Sequence, residues 1–215
     1  MNSRPPLGGD PDREDQSSAE RIRDSALRCF ADHGTATTTL RQIASEAEVS
    51  IGLVQHHYGT KGRLIKAVDE HVMAVLDASL ATPPASLPVD PVEEFGQRVT
   101  NLILNRPDVV DYVGRTLIDG NQIGTVIFDG LVAMGQARWK QHAEQQLTRA
   151  DLDYTWAALN PLILVLGAIT LRTHIDRHLP ESFATTAQLT RWQQAMNMLI
   201  RQGQLRSIDD ENTSA

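Results

Sequence analysis

Apolar positions recur at intervals of three and four along most of the chain, the spacing of one helix face. The first stripe is Ile22, Ala26, Cys29 and Phe30; Ser17 and Glu20 ahead of it have capping-box spacing, and His33-Gly34 supplies a stop. A second helix starts in "TTTLRQIASEA", where Thr39 and Gln42 make another capping box and Ile43, Ala44 and Ala47 share a side. After the turn at Glu48-Val49, Ser50 caps a short third helix that runs to about Tyr58. Gly59-Thr60 break it, and Thr60 caps a fourth from Lys61 through Leu64, Val68, Val72 and Val75 to about Leu80. Further helices are predicted at 91–105, 107–119, 121–148, 153–178 and 185–202. Pro161, inside the fourth of these, should kink it by removing a backbone donor. The expected fold is all-α, consistent with only 5% aromatic residues and few β-branched runs.

Composition divides the chain further. Residues 1–16 are rich in Pro, Gly and acids without periodicity, which predicts a disordered tail. Residues 17–64 hold the short helices, "ATPPASLPVDP" is a proline-rich connector, 65–205 form a second helical domain, and 206–215 a polar tail. The net charge is −7, yet residues 18–66 carry seven Lys/Arg against five Asp/Glu, so any polyanion partner belongs to the first third. Cys29 is the single cysteine, which excludes an intrachain disulfide, and its place on an apolar face predicts a buried thiol. The N-terminus lacks the apolar core of a signal peptide, and the longest apolar run, 159–171, is too short to span a bilayer. A cytoplasmic protein with no membrane partner is expected.

Two short helices joined by a tight turn, the second opening on a capping serine, form a helix-turn-helix pattern. Such a second helix fits the major groove of DNA and presents its first residues to base edges. Steps of 100° put Ser50, Leu53 and Val54 on one side of it and Ile51, Gly52, Gln55 and His56 on the other. The outward set suits a groove: Ile51 for a thymine methyl, Gly52 for close backbone approach, Gln55 for the N6 and N7 of adenine, His56 for a base edge or phosphate. His57 lies nearer the packed side, where it suits a structural or phosphate-linking role, and Ser50 and Tyr58 complete the candidate DNA contacts. Thr39, Arg41, Thr60 and Lys61 stand at helix starts and are expected to grip phosphates.

"TLRQIASEAEVSIGLVQHHYGTKGRL" resembles the N-terminal domain of the TetR/AcrR family of bacterial transcriptional regulators. The likeness is carried by Thr39, Ile43, Ala44, Ala47, Val49, Ser50, Gly52, His57, Tyr58, Lys61 and Leu64, with the helix ending at Phe30 and Gly34. It implies a second domain that binds an inducer and pairs through its last two helices. Two positions depart from the family. Glu48 stands where glycine is usual, and if left-handed it costs about 1–2 kcal/mol. Gln55 replaces a usual tyrosine and should shift operator preference.

The last two long helices carry Trp156, Leu159, Ile163 and Leu166, then Leu189, Trp192, Met196 and Leu199. That much apolar surface predicts a twofold mate, with ordinary core as the alternative. Tyr112, Asp119, Phe128, Met134 and Trp139 on the central helices are candidates to line an effector pocket, where they would again compete with ordinary core or surface. Asp111, Arg115 and Asp119 read as a solvated ion-pair row.

Rival chemistries fit less well. His56 and His57 point about 100° apart and cannot share a metal. His174 and His178 have better spacing but suit a solvent-facing helix end. "GTKG" lacks the strand and glycine-rich lead of a phosphate loop, and no nucleophile triad appears. No metal, no cofactor and no enzymatic activity are expected. The expectation is a ligand-responsive regulator, a repressor by family resemblance, that binds a palindromic operator as a homodimer and is released by an apolar or amphipathic effector. An architectural DNA-binding dimer without effector is the alternative; a pocket of a few hundred Å³ in the second domain would separate the two.

Overall fold

Caps and glycines punctuate the chain much as the sequence predicts. The computed structural model describes residues 11–80 and 91–205. Its helices are α1 (Pro11–His33), α2 (Leu40–Glu46), α3 (Ile51–Tyr58), α4 (Lys61–Leu80), α5 (Pro91–Asn105), α6 (Pro107–Asp119), α7 (Gln122–Glu144), α8 (Tyr154–Thr170), α9 (Arg172–Asp176) and α10 (Thr186–Gln204). No strand occurs among the described residues. The chain packs as two units, Met1–Val72 and Met73–Ala215, so the division falls inside α4.

Three boundaries differ from expectation. The helix expected to start behind Ser17 begins at Pro11, so residues 11–16 of the expected tail are helical and Ser17 is not its cap. Proline and acids are both favoured in a first helical turn, and "PDRED" supplies them. The helix expected to reach 148 stops at Glu144, because Gln146 turns left-handed at φ 58° and Leu147 N–H returns to the His142 carbonyl. The helix expected over 153–178 is divided at Leu171 into α8 and α9. Residues 1–10 of the expected tail, the connector through residue 90 and the tail at 206–215 lie outside the described residues.

In the first unit, α1, α2 and α3 enclose a core that includes Ile22, Leu27, Phe30, Ile43, Val54 and Leu64, all fully buried. Cys29 is buried beside them, and burial with the nearby Glu46 charge pushes its thiol pKa up. Thr38 seals the α1–α2 corner: its hydroxyl donates to the Gly34 carbonyl at 2.8 Å, with the Cys29 carbonyl at 3.1 Å.

In the second unit α7 packs on α6 and α8, and α10 lies along α5. Pro161 leaves the Ala157 carbonyl without its helical donor. The buried Gln204 side chain reaches that carbonyl at 3.4 Å, while α8 continues unbroken to Thr170. Gly96 permits the close approach of α5 to α10: a Cβ there would meet Asn197 Oδ1 at 2.8 Å. Among the described residues no helix is long and apolar enough to cross a membrane.

Candidate nucleic-acid interface and internal cavity

Local caps aim the third helix. Thr39 accepts from Gln42 N–H while Gln42 Oε1 takes the Thr39 N–H, a complete capping box on α2. Ser50 Oγ accepts from Leu53 N–H at 3.1 Å and starts α3. Between them Glu48 stands at φ 55°, the left-handed conformation that glycine adopts without a Cβ penalty. Gly59, at φ 69°, ends α3, and Thr60 Oγ1 accepts from Arg63 N–H in the first turn of α4.

These caps leave Ile51, Gly52, Gln55 and His56 exposed together while Val54 is fully buried and Leu53 partly so. Ile51 stands 44% exposed with no core of its own unit to cover it. His57 is half-buried and sits edge-on to His56, with ring centroids 5.4 Å apart. The Tyr58 hydroxyl is already engaged: it donates to the Ala19 carbonyl at 2.7 Å and ties α3 to α1. Through its hydroxyl Tyr58 thus positions α3 against α1. Lys61 Nζ donates to the Ala36 carbonyl at 3.1 Å, next to the start of α2. Arg41 and Arg63 are exposed cations at the starts of α2 and α4; Arg63 was not singled out by the sequence reading, although it follows the same capping threonine.

The second unit contains a cavity among α4, α5, α6, α7, α8 and α10. Its volume is about 140 Å³, below the few hundred Å³ expected. That is the size of an apolar cavity able to hold one benzene ring. Among the described residues its wall is apolar apart from Arg138, His142, Gln193 and Asn197, with no Asp or Glu.

Of the five pocket candidates, Met134 and Trp139 line the cavity. Tyr112 is fully buried core, Asp119 is exposed and pairs with Arg115 at 3.2 Å, and Phe128 is half-buried away from the wall. Those three are corrections, with one cause. Residue type and helical phase on α6 and α7 do not say which face meets the gap between α5, α8 and α10. Asp111 likewise leaves the expected ion-pair row and bridges to Arg172 at 3.0 Å.

The polar part of the wall is tied down from behind. Glu93 accepts from Gln193 Nε2 at 3.0 Å, Asn197 Nδ2 at 2.8 Å and Arg201 at 3.2 Å, and Thr100 donates to Gln193 Oε1 at 2.9 Å. Arg138 lies over the Phe95 ring, 3.9 Å from its centroid, a cation–π contact. Burial and the nearby Arg98 charge pull Arg138 down to about 10, against the opposing pull of Glu94. Burial, then the Arg138 charge, lowers the pKa of His142. Sequence reasoning missed this group. Its trace was the polar pair Gln193 and Asn197 at i,i+4, set inside the apolar stripe of α10.

The eight residues assigned to a dimer face separate cleanly. Trp156, Ile163 and Leu199 stand 50–60% exposed, joined by Leu164, Leu171 and Met198. Leu189 is completely buried and Met196 nearly so, within the protomer's own core, so neither is open to a mate. Leu166 and Trp192 are half-buried and line the cavity, Trp192 also packing edge-on against Phe183; Leu159 is half-buried. At the end of α9, Asp176 accepts from Phe183 N–H at 2.6 Å and so ties down the turn that leads to α10. Among the described residues no three His, Cys, Asp or Glu side chains gather as metal ligands.

Comparison with known proteins agrees with this geometry. The family model of bacterial regulatory proteins, tetR family, matches residues 22–68, which hold the helix-turn-helix. The HTH-type transcriptional repressor Rv3405c of Mycobacterium tuberculosis is 32% identical over 112 residues, 52% of each chain. The HTH-type transcriptional repressor SCO4008 of Streptomyces coelicolor is 37% identical over 100 residues, 46% of this chain and 48% of the relative. The match thus spans about half the length of these curated relatives. In fold the chain is similar to SmeT, the repressor of the Stenotrophomonas maltophilia multidrug efflux pump SmeDEF. That TM-score is 0.64 at 19% identity, covering 91% of this chain and 94% of SmeT. A gamma-butyrolactone receptor (ArpA like protein) aligns with a TM-score of 0.66 at 16% identity over 90% of each chain. Its N-terminal helix-turn-helix is thus similar to that of the TetR family of bacterial regulatory proteins and of named transcriptional repressors.

Proposed function

We propose that this protein is a ligand-responsive transcriptional repressor that binds a palindromic operator as a homodimer and leaves it when a small molecule fills the second unit. The observation that carries the reading is the outward stripe of α3, where Ile51 stands in solvent beside Gly52, Gln55 and His56. A major groove uses each of them: a methyl contact for Ile51, a close backbone approach at Gly52, a bidentate amide for Gln55 and a base edge or phosphate for His56. Thr39, Arg41, Thr60 and Lys61 at the flanking helix starts hold phosphates and set register. A mate related by a twofold axis through Trp156, Ile163 and Leu199 would place the second reader about 34–36 Å away, one turn of DNA.

The cavity, though smaller than the few hundred Å³ expected, is an unfilled apolar interior, and that supports effector control over a purely architectural role. α4 begins at Lys61 and brings Leu76 and Leu80 to the cavity wall, so one helix carries both the phosphate clamp and part of the ligand site. A ligand that binds one tilt of that helix better than the other shifts the population of DNA-competent dimers.

Selection of bound fragments from a random DNA pool tests the first half directly. On the selected operator, Gln55→Ala should weaken binding by about 1–3 kcal/mol and relax preference at one base pair. Lys61→Ala should weaken all sequences alike and reduce the salt slope by about one. Equal losses from both on random DNA would remove base readout by Gln55, and a particle that ignores duplex DNA at low salt would remove the whole reading. Ile163→Asp should shift sedimentation from dimer to monomer; an unchanged mass would exclude this face as the interface.

A further inference from the structure

We infer that the cavity takes an uncharged one-ring phenol, its ring among the apolar side chains of α5–α8 and its hydroxyl hydrogen-bonded to Nδ1 of His142. This names the ligand class for the effector site proposed above and rests on that reading. The starting observation is an unmet polar atom. His142 borders the cavity, and its Nδ1 is buried without a hydrogen-bond partner; among the described residues it is the one side-chain atom of the wall in that condition. A buried polar atom left so costs stability until something meets it.

The other polar side chains of the wall are already engaged. Gln193 uses both ends of its amide, on Glu93 and on Thr100, and Asn197 donates to Glu93. Arg138 lies over Phe95, 3.9 Å from the ring centroid, and is held there by other contacts as well. His142 itself is only 8% exposed and meets Trp139 edge-on, with ring centroids 5.6 Å apart. A buried water keeps its place with about two to four polar partners. The wall supplies one atom in need of a partner, so the group that meets it should arrive on an apolar body.

Neither sign of charge is favoured on that body. Among the described residues no Asp or Glu borders the gap to receive a cation, and the Arg138 charge stands near His142. Against an anion, the Glu93 carboxylate lies directly behind Gln193 and Asn197. Burying a charge without its own counter-group is costly, which leaves a neutral ligand. Burial, then the Arg138 charge, lowers the pKa of His142, so its imidazole is neutral at pH 7. A neutral imidazole presents either a lone pair or an N–H at Nδ1, and a hydroxyl answers both. The volume of about 140 Å³ admits one benzene ring, and the rings of Phe95, Trp139 and Trp192 border it.

The experiment uses the full chain and four probes of similar size at neutral pH: 4-methylphenol, p-xylene, benzoate and benzylammonium. Calorimetric titration and melting temperature report occupancy independently. On the wild-type chain 4-methylphenol should bind about tenfold more tightly than either charged probe. His142→Phe keeps a ring beside Trp139 and removes both nitrogens. It should weaken 4-methylphenol about tenfold and leave p-xylene, which carries a methyl in place of the hydroxyl, nearly unchanged. A folded variant that holds 4-methylphenol as before, or loses both probes alike, would take the role away from His142. Should His142→Phe fail to fold, the ranking on the wild-type chain decides alone. Benzoate or benzylammonium binding as well as 4-methylphenol would overturn the uncharged class and leave the effector site standing. Silence of all four probes in both readouts would overturn this assignment and the cavity as a ligand site. The expected ranking without release of the chain from its selected operator would support the assignment and remove effector control alone.

Discussion

The two units place their apolar side chains differently. Around the helix-turn-helix, Leu27, Phe30, Ile43 and Val54 are sealed, and Ile51 is the large apolar side chain left conspicuously in solvent. In the second unit Tyr112, Ile127 and Leu189 are equally sealed, but Leu162, Leu166 and Trp192 border a gap while Trp156, Ile163, Leu164 and Leu199 face outward. Under the proposed function, a reader of DNA gains from rigidity, since the stripe on α3 must arrive preformed at the groove. Under the same proposal, a ligand-responsive body gains from an unfilled interior and an unpaired face, because each leaves free energy to be released by a partner.

The widest separation between the units should appear in core truncations. Phe30→Ala removes a fully buried ring from the sealed core and should cost about 3–5 kcal/mol in chemical denaturation. Leu166→Ala enlarges an existing gap beside half-buried neighbours and should cost only about 2 kcal/mol, the low end for such changes. Similar losses at both sites would erase the contrast between a filled and an unfilled core.

A smaller effect is expected at the turn. Glu48 holds a left-handed conformation that disfavours any Cβ by about 1–2 kcal/mol. Glycine gives back part of that gain through a more flexible unfolded chain. Glu48→Gly should therefore raise the melting temperature of the first unit by an amount worth about 1 kcal/mol. An unchanged or lower value would show that the left-handed turn carries no strain.

The smallest effect concerns pH and only the second unit. Folding lowers the pKa of His142 from its ordinary 6.5, through burial and then the Arg138 charge. The unfolded chain therefore takes up that proton first. The stability held by the neutral imidazole is complete above pH 6.5 and is lost as pH falls from there toward the folded value. His142→Gln should flatten the fall in melting temperature between pH 7 and pH 5.5. Identical slopes for variant and wild type would remove His142 as the cause.

How legible each region was follows from the range of the interactions that build it. The capping boxes at Thr39 and the cap at Ser50, the break at Gly59-Thr60 and the outward phase of Ile51, Gly52, Gln55 and His56 depend on residues within one or two turns. All of them were readable from the chain. The helix ends at Gln146 and Leu171 were not, since no glycine or proline marks them and neighbouring elements decide where they fall. The pocket was read only at Met134 and Trp139. Arg138, His142, Gln193 and Asn197 enter it because α5, α7 and α10 converge, and Glu93 holds its partners from about one hundred residues away in sequence.

From sequence alone came the all-α class, the order of helices through α6 and the outward face of α3. Periodicity, caps and turn residues are local, and they act before the chain has folded. Tertiary packing alone separated Leu189 and Met196, which serve the protomer's own core, from Trp156, Ile163 and Leu199, which remain in water. It also set one guanidinium in the wall of an apolar gap. A helix face carries its apolar pattern in the sequence, but whether that face meets its own core, a void or solvent is decided by which helices crowd against it.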